Sequence, residues 1–306
     1  MNNVLSYYYH LYPTNIHQQN KEFKFQLEGY DYVFSPLNVD AKQLEFLYQL
    51  SNQLLQYQMY VSQIVPNVHQ QLFTLVHEEP YVLVHFFNRN TESVHFLDLL
   101  RFQEQTRLFA LKPSSLSWKR LWEDKIDYFE YQMEQFGKSL SLARDSFSYY
   151  IGLAEMAISL LNFVDGKIQH PVISHRRITS DYTMRNLYNS LNFVIDSQVR
   201  DVADYFKCHF FKGDYILDEM DYYISTSLQG NEYLLFFARM LFPTYYFDLF
   251  EDVLFSDLEE KELINVMDKS DEYEELLVDL YYKIQEFTQL PEIDWFKFYH
   301  YTPSGS

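Results

Sequence analysis

Residues 172–205 read VISHRRITSDYTMRNLYNSLNFVIDSQVRDVADY. The apolar residues before His175 have the look of a short strand, and a polar loop follows them. A second apolar run, 191–195, ends on Asp196. A helix then opens around Arg200-Asp201-Val202-Ala203-Asp204. Two short strands that stop at a histidine and at an aspartate set polar side chains at strand ends, where irregular backbone can aim them at a ligand.

Upstream, residues 23–37 read as two strands around a Glu28-Gly29 turn. Leu44, Leu47, Leu50, Leu54 and Leu55 share one face of a helix over 41–58, with Asp40 as its N-cap. Strands are expected near 60–65, 71–77 and 80–87, the last two joined by a turn at Glu78-Glu79-Pro80. From about residue 93 the pattern turns helical, with amphipathic runs over 94–110, 117–136 and 145–163. Beyond the quoted stretch, helices are expected near 201–209, 215–228, 231–253, 257–268 and 271–288, with Pro243 kinking or dividing one of them. The expected fold class is α+β and bilobal: a small β-rich lobe over 1–87 and a large helical lobe over 88–306.

Composition narrows the function. The 306-residue chain is 47% apolar, enough for a packed core. Its net charge is −19, with 24 basic and 43 acidic residues, which argues against nucleic acid and anionic membrane surfaces as partners. No apolar run approaches a bilayer span, and the N-terminus lacks a signal-peptide pattern. The single cysteine, Cys208, excludes an intramolecular disulfide and a cysteine-based zinc cage, and points to synthesis in the cytoplasm. His69, His77, His85 and His95 are too dispersed to define a metal site. The acidic run over 256–275 reads as a solvated helical face. Aromatics reach 19%, with 28 Tyr and 27 Phe. Compositional bias and a Tyr-rich assembly surface both account for that excess.

A small β-rich lobe, a helical lobe and strand-end polar residues resemble the layout of a phosphotransferase of the protein-kinase-like, aminoglycoside-phosphotransferase-like kind. Such chemistry needs a carboxylate at the acceptor hydroxyl, an Asn and an Asp on magnesium, a lysine on the phosphates and a flexible cover. Asp196 matches the metal-binding Asp, and Asp201 matches the acid that fixes the catalytic loop. The loop allows two registers. In the first, His175 is the histidine of H-x-D, Arg177 stands where the base belongs and Tyr182 where the metal Asn belongs. An arginine accepts no proton at neutral pH, so that register leaves no working base. In the second, Asp181 and Asn186 form a D-x4-N pair, with Thr179 in place of the histidine. The small lobe lacks a glycine-rich cover: Gly29 is the sole glycine before residue 130. Ser35 precedes Pro36 where related kinases carry a Lys-Pro pair, so Glu45 has no lysine to hold.

Leu121-Trp122-Glu123-Asp124-Lys125, Ser148-Tyr149-Tyr150-Ile151-Gly152-Leu153-Ala154-Glu155 and Ser174-His175-Arg176-Arg177 resemble the endospore coat-associated YutH family. So do Asp196, Arg200-Asp201 and Ala238-Arg239-Met240-Leu241-Phe242-Pro243. That family is a divergent branch of the CotS-type spore-coat kinases, and the resemblance covers about residues 20 to 290. It implies a kinase-like bilobal fold, a place in the spore coat, and other coat or scaffold proteins as partners.

The leading expectation is therefore a pseudokinase: an acidic kinase-fold protein with no catalytic residues, no cofactor and a vestigial metal aspartate at Asp196. The alternative is an active small-molecule kinase using Asp181, Asn186 and Asp196 with Mg-ATP. A third reading, another chemistry on the same fold, requires His175 and Arg177 to point into one pocket. The cluster His175, Arg176, Arg177 either binds an anion or pairs with Asp181, Asp196 or Asp201 as a salt-bridge lock across a disused site.

Overall fold

The computed structural model describes residues 1–87, 90–107, 109, 118–164, 171–256 and 258–298. The chain opens with α1 (Asn2–Tyr9), β1 (Ile16–Gln19), β2 (Glu22–Leu27), β3 (Tyr30–Pro36), α2 (Ala41–Gln56), β4 (Gln63–Ile64), β5 (Thr74–Val76) and β6 (Glu79–Phe86). It continues with α3 (Phe96–Thr106), α4 (Trp118–Phe136), α5 (Ser141–Leu160), β7 (Pro171–His175), α6 (Met184–Leu187) and β8 (Phe193–Ser197). Six helices close it: α7 (Val199–Lys212), α8 (Leu217–Thr226), α9 (Glu232–Leu241), α10 (Thr244–Phe255), α11 (Leu263–Met267) and α12 (Ser270–Gln285). The α+β class expected from the pattern is borne out. Residues 108 and 110 of the expected helix 94–110, residue 117 of the next, and Asp257 of the acidic run lie outside the described residues.

Two compact units result: Met1–Leu99 with Asp181–Val194, and Leu100–Ser180 with Ile195–Ser306. The sequence pattern divides the chain linearly at residue 87, whereas the first unit also takes in 181–194.

The first unit holds an antiparallel sheet in the order β1-β2-β3-β6-β4, with β5 on β6. The first hairpin turns tightly at Asn20-Lys21, between paired Gln19 and Glu22. The second turns through Glu28 and Gly29, both at positive φ. The third turns at His77-Glu78, one step before the expected Glu78-Glu79-Pro80. Both residues there have positive φ, which proline cannot adopt, so Pro80 sits in β6 opposite Leu75. Asp40 caps α2 by accepting from the Gln43 N–H at 2.8 Å. Helix α1 is not legible in the sequence pattern, yet it places Leu5 and Tyr9 against Phe25, Phe34, Tyr81 and Leu83. The Tyr9 hydroxyl reaches Thr74 at 2.9 Å.

The second unit is built around α9, all ten of whose residues are buried. A helix buried on every side must be apolar or must have its charges paired inside the protein. The run expected over 231–253 is divided at Phe242-Pro243, and α10 starts afresh at Thr244. Aromatic stacking joins the helices: Phe129 to Phe247 at 4.6 Å and Tyr150 to Tyr246 at 3.8 Å. The buried hydroxyls of Tyr246 and Tyr273 find partners, the first in Ser146 at 2.9 Å and the second in the Met240 carbonyl at 2.7 Å. Much of the aromatic excess is thus interior. No helix among the described residues is long and apolar enough to cross a membrane.

The fully buried Leu5 and the exposed Tyr7 share α1. Leu5→Ala should cost about 2–5 kcal/mol in urea unfolding, and Tyr7→Ala less than about 0.5 kcal/mol. Equal effects would show that α1 is not packed as described.

Candidate functional site

In the second unit, β7 ends at His175, which is fully buried. Its backbone N–H donates to Asp201 Oδ1 at 2.8 Å, and its ring Nδ1 lies 2.7 Å from Asp201 Oδ2. Asp201 enters from the first turn of α7. One carboxylate therefore holds both the main chain and the ring where the loop begins. Phe102 covers the imidazole at 5.1 Å between centroids. From α7, Arg200 also donates to the carbonyls of His175 at 2.7 Å and Arg176 at 2.8 Å.

Asp196 stands next to last in β8 and is 2% exposed. Its Oδ2 accepts from Arg200 at 2.9 Å and from Arg239 of α9 at 3.1 Å. Its Oδ1 accepts from the Trp118 indole at 3.1 Å and from the Ser197 N–H at 2.7 Å. The Trp118 ring carries both guanidinium groups, Arg239 at 3.9 Å and Arg200 at 5.1 Å. Burial lowers the Arg239 pKa, and Asp196 opposes the shift. A magnesium site needs carboxylate oxygens free to face the ion. Here both oxygens serve nitrogen donors and two cations already neutralise the charge, so Asp196 does not fit that role. Among the described residues, no group of three His, Cys, Asp or Glu could hold a metal ion.

Arg177 follows His175 by two residues and forms a two-pronged ion pair with Asp248 of α10, both contacts at 2.9 Å. It also reaches Asp204 at 3.3 Å. Burial would push the Asp204 carboxyl up, but Arg177, Lys207, Arg200 and Arg239 outweigh it and hold the carboxyl below its ordinary value. Lys207 is buried and donates to the carbonyl of Arg239 at 2.9 Å and to Thr244 Oγ1 at 2.8 Å. Burial pulls its pKa down to about 8, against the pull of Asp204. Arg177, Asp204, Lys207 and Asp248 edge a cavity of about 530 Å³ that His175 does not line. Cys208 also lines it, with its thiol pushed up to about 12 by burial, which makes it an unreactive nucleophile.

The other candidates belong to the first unit. Asp181 is exposed. Asn186 lies in α6, where its Oδ1 accepts from the Thr183 hydroxyl at 2.6 Å while Thr183 caps the helix. That explains the Asn by local capping. Ser35 sits on β3 opposite Val82. Glu45 is exposed on α2 and accepts from Gln49 at 2.8 Å. Arg185 pairs with Asp31 at 3.0 Å and lies 4.3 Å from the Phe86 ring centre.

A strand ending at His175, an aspartate from the next helix holding it, and a second strand ending at Asp196 are the frame of a kinase-like phosphotransferase. Solved structures share that fold. The chain is similar to an aminoglycoside phosphotransferase from Alicyclobacillus acidocaldarius, with a TM-score of 0.64 at 13% identity over 94% of this chain and 97% of that one. It is also similar to the spectinomycin phosphotransferase APH(9)-Ia (TM-score 0.53, 10% identity, 98% of each chain). The amicoumacin kinase hAmiN gives a TM-score of 0.53 at 11% identity, over 97% of this chain and 95% of that one. Residues 2–280 match the family described as "Spore coat putative kinase YutH", and the chain belongs to that family of spore-coat-associated proteins. The endospore coat-associated protein YutH of Bacillus subtilis (strain 168) is 31% identical over 166 residues, 47% of this chain and 48% of that protein. The match thus spans about half the length of that relative.

Sequence reasoning did not find Trp118, Arg239, Asp204, Lys207 or Asp248 as parts of this cluster. One signal was available: Arg239 is the lone basic residue in the largely apolar sequence of α9.

Asp196→Ala should cost about 3–5 kcal/mol, since it leaves Arg239 buried without its counter-charge, and adding Arg239→Met should recover part of the loss. Denaturant unfolding of the two variants checks both. The unfolded chain keeps the Lys207 proton to about pH 10, while the folded chain releases it near 8. The unfolded state therefore binds more protons in that window, and stability should rise with pH there by an amount on the order of a few kcal/mol. The rise should be missing in Lys207→Met, and identical pH profiles would refute the assignment.

Proposed function

We propose that this chain is a kinase-fold component of the spore coat that has no phosphotransferase activity and serves a structural or scaffolding role. Its partners are other coat or scaffold proteins. The observation that carries the reading is the state of Asp196, whose oxygens are taken by Arg200, Arg239, Trp118 and the Ser197 N–H. Phosphoryl transfer is mostly positioning and charge stabilisation around the metal ions and phosphates. An aspartate committed to two arginines offers little to such an ion.

Arg177 supports the same reading. It stands two residues after the histidine held by Asp201, and it is committed to Asp248 and Asp204. A guanidinium donates hydrogen bonds and takes no proton. In the first unit, Ser35 supplies no cation on β3, and the hairpin Asn20-Lys21 is too tight to fold over a nucleotide as a glycine-rich loop does. Mg-ATP is accordingly no cofactor of this chain.

Thermal unfolding with and without millimolar Mg-ATP tests the proposal. A ligand at a hundred times its Kd stabilises a fold by about 2.7 kcal/mol, which moves the melting temperature by several degrees. No shift is expected. A clear shift that disappears in Asp196→Asn would overturn the proposal in favour of an active kinase, with Asp181 and Asn186 as the residues to vary next.

A further inference from the structure

The sheet of the first unit ends differently at its two sides. The β4 end is tied down: the Ser62 N–H, just before β4, donates to the Tyr188 carbonyl at 2.8 Å, and Gln63 is buried with its side-chain amide on the Ser51 and Val61 carbonyls. At the other end, β1 pairs with β2 alone among the described residues. The register fixes which backbone groups are left over. Gln19 and Glu22 flank a two-residue turn, so they exchange hydrogen bonds with each other, and in an antiparallel ladder bonded and non-bonded pairs alternate. His17 is therefore bonded to Lys24, while Ile16 and Gln18 aim their N–H and C=O groups away from β2. No backbone hydrogen bond among the described residues takes up those outward groups.

An open edge offers a row of donors and acceptors to another extended strand, and proteins commonly guard such edges with a lysine, a proline or a bulge. The strand Ile16-His17-Gln18-Gln19 has none of these, and its last three side chains are exposed. Charge decides what can occupy the edge. The chain is 22% charged and carries −19, so two copies repel over most of their surface. Residues 2–20, however, hold no Asp, Glu, Lys or Arg. That neutral stretch bears β1 and the exposed Tyr7 (65%) and Tyr12 (69%). Two copies can meet there without opposing formal charges, whereas a charged segment finds no counter-ion on it. The pairing is also self-complementary. About a two-fold axis at His17, Ile16 of each copy exchanges both backbone bonds with Gln18 of the other, and the two His17 side chains stand opposite each other at the non-bonded position.

We propose that the outer edge of β1 joins a second copy of this chain in an antiparallel β1–β1 pair, which closes as a two-fold dimer. The inference goes beyond the scaffold reading by naming one partner, and it holds whether or not the fold transfers phosphate. So short a strand pair buries less than a standard interface, and the dimer should form with a Kd of roughly 10–100 μM. Sedimentation velocity of the full chain from about 1 to about 300 μM should show monomer–dimer exchange and no larger species. In hydrogen exchange, the amides of Ile16 and Gln18 should gain protection as concentration rises, while those of His17 and Gln19 stay protected throughout. Gln18→Pro removes an outward N–H, leaves the bonds to β2 in place, and should abolish the dimer. His17→Asp sets two carboxylates opposite each other across the axis but faces Lys24 favourably within its own copy. It should weaken the dimer at least about tenfold without lowering the melting temperature, and it decides the matter if the proline variant folds poorly. The proposal falls if the parent is monomeric at the highest concentration, if Ile16 and Gln18 exchange at the same rate at every concentration, or if His17→Asp dimerises like the parent.

Discussion

The second unit depends on one carboxylate. Helix α9 is buried along its whole length, yet it carries Arg239. A guanidinium keeps its proton inside a protein, so burial cannot be relieved by neutralisation and a counter-ion is required. Asp196 is that counter-ion, and it is shared with Arg200. Trp118 completes the arrangement by presenting its indole N–H to the carboxylate and its ring to both cations. One side chain at the end of β8 thereby binds together the starts of α4 and α7 and the last turn of α9.

Two aspartates in this cluster sit five residues apart and serve different ends. Asp201 shapes the loop by holding the backbone and ring of His175. That bond needs no substrate and no metal, and it contributes to folding whether or not the loop performs chemistry. Asp196, read from the sequence as the kinase-like metal position, is surrounded by donors and cations. A loop can keep the outline of a catalytic loop when the bonds that draw the outline are separate from the groups that react. Arg177 shows the same separation: it stands two residues after the histidine and is tied to Asp248 and Asp204 within its own unit.

How much of this was legible follows from sequence distance. Asp201 and His175 lie 26 residues apart inside one stretch, so the bond between strand end and helix start could be expected from their order. Arg239 lies 43 residues from Asp196, and Trp118 lies 78. Nothing local marks either as its partner. Helix α1 escaped for another reason. Its tyrosine run shows no clear apolar period, and tyrosine is an indifferent helix former, so packing of Leu5 and Tyr9 supports it more than local preference does. Turn chemistry misled at one point only. Pro80 draws the eye as a breaker, but the hairpin needs positive φ and takes it at His77 and Glu78. The D-x4-N spacing of Asp181 and Asn186 has a simpler local source in the cap of α6, where Thr183 and Asn186 bond to each other.

The tyrosine content divides into two populations under different constraints. Tyr9, Tyr246 and Tyr273 are buried, and each hydroxyl must find an oxygen, which it does across elements distant in sequence. Those bonds fix the angles at which rings stack, so the interior tyrosines specify packing as well as fill volume. Tyr30 and Tyr60 carry no such obligation, because water can satisfy their hydroxyls. Their ring contacts with His85 and Phe87 give them order on a surface where solvent alone would leave them free to rotate.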